Sequence, residues 1–186
     1  MATMDASQVT VGSAKATGAI FVAPKGTTLP TDATTALTSD WKLLGFTSDA
    51  GVQISESSSS ESIRAWEGRT EVYNVKTEYT ETISFMPIQC NDEVAKLTWG
   101  PDYVEVDGIT GDLTVKHHGN TLEPVEIVIE TTPRAGIVKR SVGEFQLTER
   151  GEQTMNGTQV DGRQLTFSSI ANSNGITMTD YISFTV

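Results

Sequence analysis

The stretch TEVYNVKTEYTETISFMPIQ, residues 70–89, alternates apolar and polar side chains. Its even positions between 74 and 84 are polar, and its odd positions carry the large apolar residues Tyr73, Val75, Tyr79, Ile83 and Phe85. A period of two is typical of a β-strand with one buried face. At roughly 3.3 Å per residue, a straight strand of this length extends over about 66 Å, whereas a compact chain of this size is about 40 Å across. The stretch therefore predicts a strand too long to lie within one globule.

The composition indicates one mainly β domain. Thr, Ser, Val and Ile are plentiful, Gly occurs 16 times, and 37% of the 186 residues are hydrophobic, a mixture that favours strands and turns over helices. The chain is long enough to bury a core. The single Cys90 excludes an internal disulfide and suits assembly in a reducing cytoplasm. We expect neither a secretory signal nor a transmembrane helix, because the N-terminus lacks a basic, apolar leader and no apolar run reaches about 18 residues.

The pattern of apolar segments predicts an antiparallel β-sandwich or barrel with one short flanking α-helix. The predicted strands lie within residues 18–24, 41–46, 70–89, 103–107, 113–118, 124–132, 136–151, 163–170 and 179–186. The helix is predicted within CNDEVAKLTWGPD, residues 90–102. Asn91 or Asp92 can cap its start, and Gly100 ends it.

Two segments are expected to be mobile in a free subunit. Residues 1–17 are small and polar, and they predict an N-terminal arm ahead of a single domain at 18–186. Residues 47–69 contain the run SESSSSES and predict a long Ser-rich loop. Trp66 near the far end of this loop indicates a binding loop, and the alternative is that Trp66 packs into the core of its own domain.

No residues form a recognisable catalytic, metal or cofactor site, so we expect a protein that is not an enzyme and uses no cofactor. His117 and His118 are neighbours on a predicted strand, where they would point to opposite faces. No phosphate-binding, dinucleotide or calcium motif occurs. Acidic residues outnumber basic ones by 24 to 13, for a formal net charge of −11, and such a chain is repelled by nucleic acid and by anionic membranes.

Several segments together carry a family resemblance. They are ATGAIFVAPKGTTLPTDATTAL (16–37), WKLLGFTSDAGV (41–52), SIRAWEGRTEVYNVKTEYTETISFMPI (62–88) and the short helix that ends at Trp99-Gly100. The chain resembles the major tail proteins, or tail tube proteins, of long flexible-tailed bacteriophages (siphophages). The resemblance is strongest over residues 16–100 and looser from 113 onward. It departs from the family at Glu67-Gly68, where many relatives carry Gly-Gly.

The resemblance implies a structural virion protein of the phage tail. In this family a β-sandwich with a flanking helix forms hexameric rings, and strands of neighbouring subunits complete an inner β-barrel tube. A long loop and the terminal arms bridge the rings, and the DNA genome passes through to the host cell without specific binding. The implied partners are the tape measure protein, the tail terminator and the distal tail protein, with assembly in the host bacterial cytoplasm. We expect no additional C-terminal immunoglobulin-like domain.

Two groups of side chains are expected to serve such a tube. An acidic lumen lets DNA slide, and the polar faces of the long strands supply the acids predicted to face it: Glu78, Glu126, Glu130 and Glu144. The opposite assignment, with these acids on the outer wall, is the alternative. The residues predicted to contact neighbouring subunits are Ile63, Arg64, Trp66, Arg69, Lys139 and Arg140. The alternative for the basic residues is that they are solvated surface charges.

A function of a different class stays open at this point. A non-enzymatic carbohydrate- or receptor-binding β-sandwich of a phage or bacterial appendage would share the composition and the strand pattern. An exposed aromatic platform would support it, but Trp41, Trp66 and Trp99 lie in strand, loop and helix contexts. Glycan binding by a stable monomer would favour this alternative, and rings or tubes would favour the tail protein.

Overall fold

The computed structural model describes residues 12–15, 18–134, 137–158 and 160–184. Strands make up 49% of the described residues and helix 7%, which confirms the prediction of a mainly β fold with one short helix. The strands in chain order are β1 (Ile20–Pro24), β2 (Lys42–Leu43), β3 (Gln53–Arg64), β4 (Glu71–Phe85), β5 (Val104–Val106), β6 (Leu113–Val115), β7 (Val125–Arg134), β8 (Ile137–Gln153), β9 (Arg163–Ile170) and β10 (Thr179–Phe184). Helix α1 (Asp92–Trp99) lies between β4 and β5, and a 3₁₀ turn, Pro101–Tyr103, follows it.

Eight strands form one antiparallel sheet in the order β2-β1-β7-β8-β9-β4-β3, with β10 also paired to β8. Strand β8 pairs with β7 along one edge. Along its other edge, β10 pairs with the first part of β8 and β9 with the second part. Strands β5 and β6 form a separate two-stranded sheet. The predicted antiparallel architecture is therefore confirmed.

The main hydrophobic cluster lies between the sheet and α1. Ile83 and Phe85 of β4, Phe145 of β8 and Phe167 of β9 are almost completely buried in it, and Leu97 packs on them from α1. The rings of Phe85 and Phe167 stack with their centroids 5.4 Å apart. The apolar positions predicted from residues 70–89 thus enter the core at the end of β4.

A second, smaller cluster lies on the opposite face of the sheet. Its buried members are Ala23, Trp41, Val128 and Val142, with Leu29 and Leu37 packed against them. These contacts hold the segment 25–41 against this face. As a result β7 is buried on both faces, with Ile127 in the main cluster and Val128 in the second one. The expectation that the polar positions of 124–132 form an exposed face is wrong, because the chain covers that face itself.

Helix α1 begins and ends where the sequence predicts. The side-chain Oδ1 of Asn91 accepts a hydrogen bond from the Val94 N–H at 2.8 Å, which satisfies one of the free donors of the first turn. Asp92 pairs with Lys96 one turn later at 2.7 Å. Gly100 follows with a left-handed φ of 88°, a conformation that glycine adopts without strain.

Strands β3 and β4 form a two-stranded arm that leaves the sheet. Strand β9 pairs with Thr82–Phe85 of β4, so among the described residues the strand portions of 57–80 are held by the β3–β4 pairing alone. We call residues 57–80 the arm. At about 3.3 Å per residue its length is about 30 Å. The predicted Ser-rich loop at 47–69 is thus wrong in its central part, which is the strand Gln53–Arg64.

A β-bulge interrupts the alternation of β4 within the arm. Ser59 pairs with Glu78, and the next residue Ser60 pairs with Lys76, so that Thr77 is an extra residue in the β3–β4 ladder. One extra residue moves every following side chain to the other face of a strand. The odd-numbered positions of β4 therefore do not share one face.

The bulge gives the arm two apolar patches on opposite faces. On one face Lys76 lies above Tyr79, with its Nζ 4.1 Å from the ring centroid. In a regular strand these two residues, three positions apart, would point to opposite faces and could not make this contact. On the other face the pairs place Tyr73 and Val75 beside Ile63. Ile63 and Tyr73 are more than half exposed. The arm is thus an exposed ribbon with apolar side chains on both surfaces.

Candidate functional site

The arm ends in a tight turn that holds Trp66 in solvent. The Ala65 N–H donates to the Thr70 carbonyl oxygen at 2.8 Å, and Gly68 and Arg69 both adopt the left-handed region, with φ of 68° and 54°. A residue other than glycine is uncommon in that region and costs on the order of 1 kcal/mol. Trp66 is 94% exposed. We call residues 63–70 the tip of the arm.

The tip brings together four of the predicted contact residues. These are Ile63, Arg64, Trp66 and Arg69, and all four are exposed. The alternative that Trp66 packs into the core of its own domain is wrong, because the arm carries it away from the sheet. Exposed Trp and Arg beside an aliphatic side chain are the residues that dominate protein interfaces. Contact with a neighbouring subunit stays a prediction for this group.

The two remaining predicted contact residues lie on β8, far along the chain from the tip. Lys139 is about one-third exposed and pairs with Asp180 of β10, with 2.7 Å between Nζ and Oδ2. Arg140 is 3% exposed. The expectation that Arg140 is available to a neighbouring subunit is wrong, because its guanidinium is committed to a partner inside its own chain.

That partner is Glu130, which lies directly opposite Arg140 in the β7–β8 ladder. Both Nε and a terminal nitrogen of Arg140 donate to Oε1 of Glu130, and Lys15 donates to Oε2 at 2.7 Å. Arg140 also donates to the carbonyl oxygen of Asp32 at 2.8 Å. Burial opposes ionisation of Glu130, but the hydrogen bonds from Lys15 and Arg140 outweigh it and lower the pKa of this carboxyl. The group fastens the segment 25–41 to the sheet.

Glu126 is buried on the same face of the sheet, but its carboxylate has fewer hydrogen-bond partners than that of Glu130. It is 5% exposed, its Oε1 accepts one hydrogen bond from the Gly26 N–H at 3.2 Å, and its Oε2 has no hydrogen-bond partner among the described residues. Glu144 lies directly across the ladder. Burial, together with the repulsion from Glu144, raises the pKa of Glu126.

The structure separates the four acids that were predicted to face a channel. Glu126 and Glu130 are buried within the subunit, so the expectation that they lie on an exposed face is wrong. Glu78 is exposed on the arm. Glu144 is about one-quarter exposed and lies 3.3 Å from Lys25. Of these four acids, Glu78 and Glu144 are accessible enough to face a channel.

We expect Glu126→Gln to raise the free energy of unfolding by about 1 kcal/mol at pH 7. The amide keeps an acceptor for Gly26, removes a buried charge, and provides a donor toward Glu144. Because the folded-state pKa of Glu126 is raised, the ionised carboxyl destabilises the fold above that pKa and the penalty disappears as the pH falls through it. The gain should therefore vanish below about pH 4. Urea unfolding at several pH values measures it, and a loss of stability at pH 7 would contradict the assignment.

The exposure of Tyr73 and Val75 does not follow from the sequence pattern. The alternation predicts that they share one buried face with Ile83, whereas the bulge at Thr77 turns them to the opposite surface beside Ile63. The sequence carries no signal for the bulge, because Thr77 lies in an otherwise regular alternation.

The other two tryptophans do not form an exposed platform in the described part of the chain. Trp41 is buried in the second cluster, and Trp99 stacks on His117 with 3.8 Å between ring centroids. Arg150 lies over Trp99, 4.7 Å from the ring centroid. This cluster joins α1 to β8, and it leaves Trp66 as the exposed tryptophan.

The described residues offer neither a metal site nor a helix able to cross a membrane. No group of three or more His, Cys, Asp and Glu side chains within that part of the chain is arranged to hold a metal ion. No helix there has both the length and the apolar character that crossing a membrane requires.

Comparison with known proteins places the chain beside a protein family. The family model described as Phage tail tube protein matches residues 2–185, almost the whole chain. No curated protein matches the sequence.

Proposed function

The chain belongs to the phage tail tube protein family, and on that premise we propose that it forms hexameric rings that stack into the tube of a siphophage tail. A structural role in the virion tail follows from the family. The ring number, the stacking and the passage of DNA through the tube are the proposal.

The observation that carries the proposal is the exposed arm. Residues 57–80 form an arm about 30 Å long, and within the described part of the chain they pair as strands with each other alone. An isolated two-stranded hairpin is marginally stable in water. An arm that exposes Ile63, Trp66 and Tyr73 gains a buried surface when it meets another subunit. Such a contact joins two different surfaces, and repeated contacts of this type give closed rings or filaments.

The sheet edges support assembly as well. Strands β2 and β3 stand at the two ends of the strand order, so each has one edge without a neighbouring strand in the described part of the chain. Free edges are normally an aggregation hazard. Edge-to-edge pairing between subunits would close the sheets into an inner barrel and remove the free edges.

The charge of the subunit suits a channel for DNA. Six copies of a chain with net charge −11 present an acidic wall, and duplex DNA carries about one negative charge per 1.7 Å. Repulsion screened within about 8 Å prevents DNA from adhering. Glu78 and Glu144 are the acids we assign to this wall. The tape measure protein, the tail terminator and the distal tail protein are the proposed partners, with assembly in the host bacterial cytoplasm.

We expect purified protein to form rings or tubes as its concentration rises, because burial of the arm needs a second copy. Light scattering and negative-stain electron microscopy over a concentration series measure this. Six-fold symmetry in end-on views is the expected result. A protein that stays monomeric at the highest concentration, and that binds glycans as a monomer, would favour the carbohydrate-binding alternative instead.

A further inference from the structure

A large cavity opens between the sheet and the layer formed by α1 and residues 118–125. Its volume is about 1000 Å³, at the upper end of the cavities that hold drug-sized ligands. Apolar side chains from the sheet, the helix and the covering segment line it, among them Val22, Leu97, Leu122, Val125, Leu147 and Phe167. We call this cavity the groove.

The rim of the groove carries acids that are free to pair. Asp40, Asp102 and Glu123 line it and are exposed, and in the described part of the chain no basic side chain pairs with them. Three lysines also line the rim, and Lys42 donates from Nζ to the Ser39 carbonyl oxygen at 2.9 Å. Lys96 is held by Asp92 at 2.7 Å, and Lys25 lies 3.3 Å from Glu144.

We propose that the groove of one subunit receives the tip of the arm of a second copy of this chain, with Trp66 as the anchor. This inference rests on the proposed function and names the surface that receives the arm. Trp66 is the most exposed aromatic side chain among the described residues. Its indole ring has a large apolar surface that the apolar groove could bury.

Charge complementarity supports this occupant. The tip carries two basic residues, Arg64 and Arg69, and one acidic residue, Glu67, so its formal net charge is +1. Arg64 and Arg69 would approach the rim acids Asp102 and Glu123. Oppositely charged patches around an apolar anchor favour the correct partner and raise the rate of association. Because the tip and the groove are different surfaces of one chain, the contact is head-to-tail and propagates from copy to copy.

The test is cross-linking between two single-cysteine variants. Cys90 is exposed, so both variants carry Cys90→Ser. One also carries Glu67→Cys at the tip, and the other carries Thr121→Cys on the groove wall, an exposed position where the substitution leaves the core untouched. A short bismaleimide added to the mixture should give a heterodimer as the main product. The matched control replaces Thr121→Cys by Ile109→Cys, which is 97% exposed and outside the groove.

Adding Trp66→Ser to the tip variant should reduce the yield of the 67–121 product at least tenfold. A 67–121 yield no higher than the 67–109 yield, or one unchanged by Trp66→Ser, would overturn the proposal. A further variant carries both Glu67→Cys and Thr121→Cys in one chain. If its two cysteines cross-link within that chain, the groove is occupied by the arm of the same subunit, and the proposal is overturned. Electron microscopy of the same samples separates the two ideas: tubes without the 67–121 product refute the groove assignment alone, and the absence of both refutes the proposed function as well.

A charge exchange gives an independent measurement. Arg64→Glu with Arg69→Glu should raise the protein concentration needed for assembly at least tenfold, because like charges then meet at the rim. Combining these changes with Asp102→Lys and Glu123→Lys in the same chain should restore assembly. Failure of the combined variant to assemble, while it remains folded by circular dichroism, would contradict the pairing of tip and rim.

Discussion

Glu130→Leu is expected to lower the free energy of unfolding by about 3–5 kcal/mol at pH 7. The change leaves the guanidinium of Arg140 buried at 3% exposure without the carboxylate that accepts two of its hydrogen bonds. Lys15 is about one-third exposed and can regain water, so Arg140 supplies most of the penalty. Urea unfolding followed by tryptophan fluorescence measures it, since Trp41 lies in the adjacent cluster.

The double variant Glu130→Leu with Arg140→Met is the matched control. It removes both charges and fills the space with apolar groups, an exchange that is often neutral or stabilising when a buried ion pair is replaced. It should recover most of the loss. A single variant that costs less than about 1 kcal/mol, or a double variant that costs the sum of the two single changes, would show that the pair is not buried.

The loss should also depend on pH in a definite direction. The pKa of Glu130 is lowered in the folded chain, so its contribution is complete above the unfolded carboxyl pKa of about 4.3. It is lost as the pH falls through the lowered folded-state pKa. The difference between wild type and Glu130→Leu should therefore shrink below about pH 4, whereas the gain from Glu126→Gln is already lost by that pH because the pKa of Glu126 is raised. A difference that grows on acidification would contradict this assignment.

Removal of the arm should abolish tube formation while the subunit stays folded. The deletion takes out residues 58–79 and joins Ser57 to Thr80 through Asn-Gly. Because Ser57 and Thr80 are cross-strand partners, a two-residue turn of this type closes the shortened hairpin. The arm contributes no buried hydrophobic side chain to either cluster, so stability should change by no more than about 1 kcal/mol. Thermal unfolding and electron microscopy measure the two effects.

Ile109→Ser is the control for the deletion. It removes a fully exposed apolar side chain from the turn between β5 and β6, away from the arm, and it should leave tube formation intact. Tubes formed by the deletion variant would show that the arm is not needed for assembly. An unfolded deletion variant would contradict the view that the arm adds little to the stability of the subunit.

The sequence predicted the elements whose patterns are local. Alternation placed Ile83 and Phe85 in the core, and the cap at Asn91 with Gly100 located α1 almost to the residue. Composition failed for residues 55–62, where serine suggested a loop. Serine is a weak strand former, but pairing with β4 overrides that preference because each of these residues has a cross-strand partner.

The environment of the acids could not be predicted from alternation alone. Glu126 and Glu130 have the spacing of a solvent-exposed strand face, yet the segment 25–41 covers them. No short-range sequence pattern shows which distant segment packs over a sheet. One signal was available for the ion pair. Strands β7 and β8 pair so that Glu130 lies opposite Arg140, and antiparallel pairing of the predicted strands 124–132 and 136–151 would have brought the two residues together. The exposed tip was predicted more easily, because Trp66 and its neighbours lie beside a turn rather than under a distant segment.

The bulge at Thr77 limits how the length of the arm can vary. Insertion or deletion of a single residue in β4 between Val75 and Thr77 would invert the part of the arm beyond it, so that Tyr73 and Val75 would change surfaces relative to the sheet. Changes of two residues would preserve the orientation, and so would a single insertion that came with loss of the bulge. A second register shift lies nearer the tip, between Ile63 and Arg64. Arm length in this family should therefore evolve in steps of two, and a lineage that acquired an odd change would have to find a new partner surface or compensate with a further bulge.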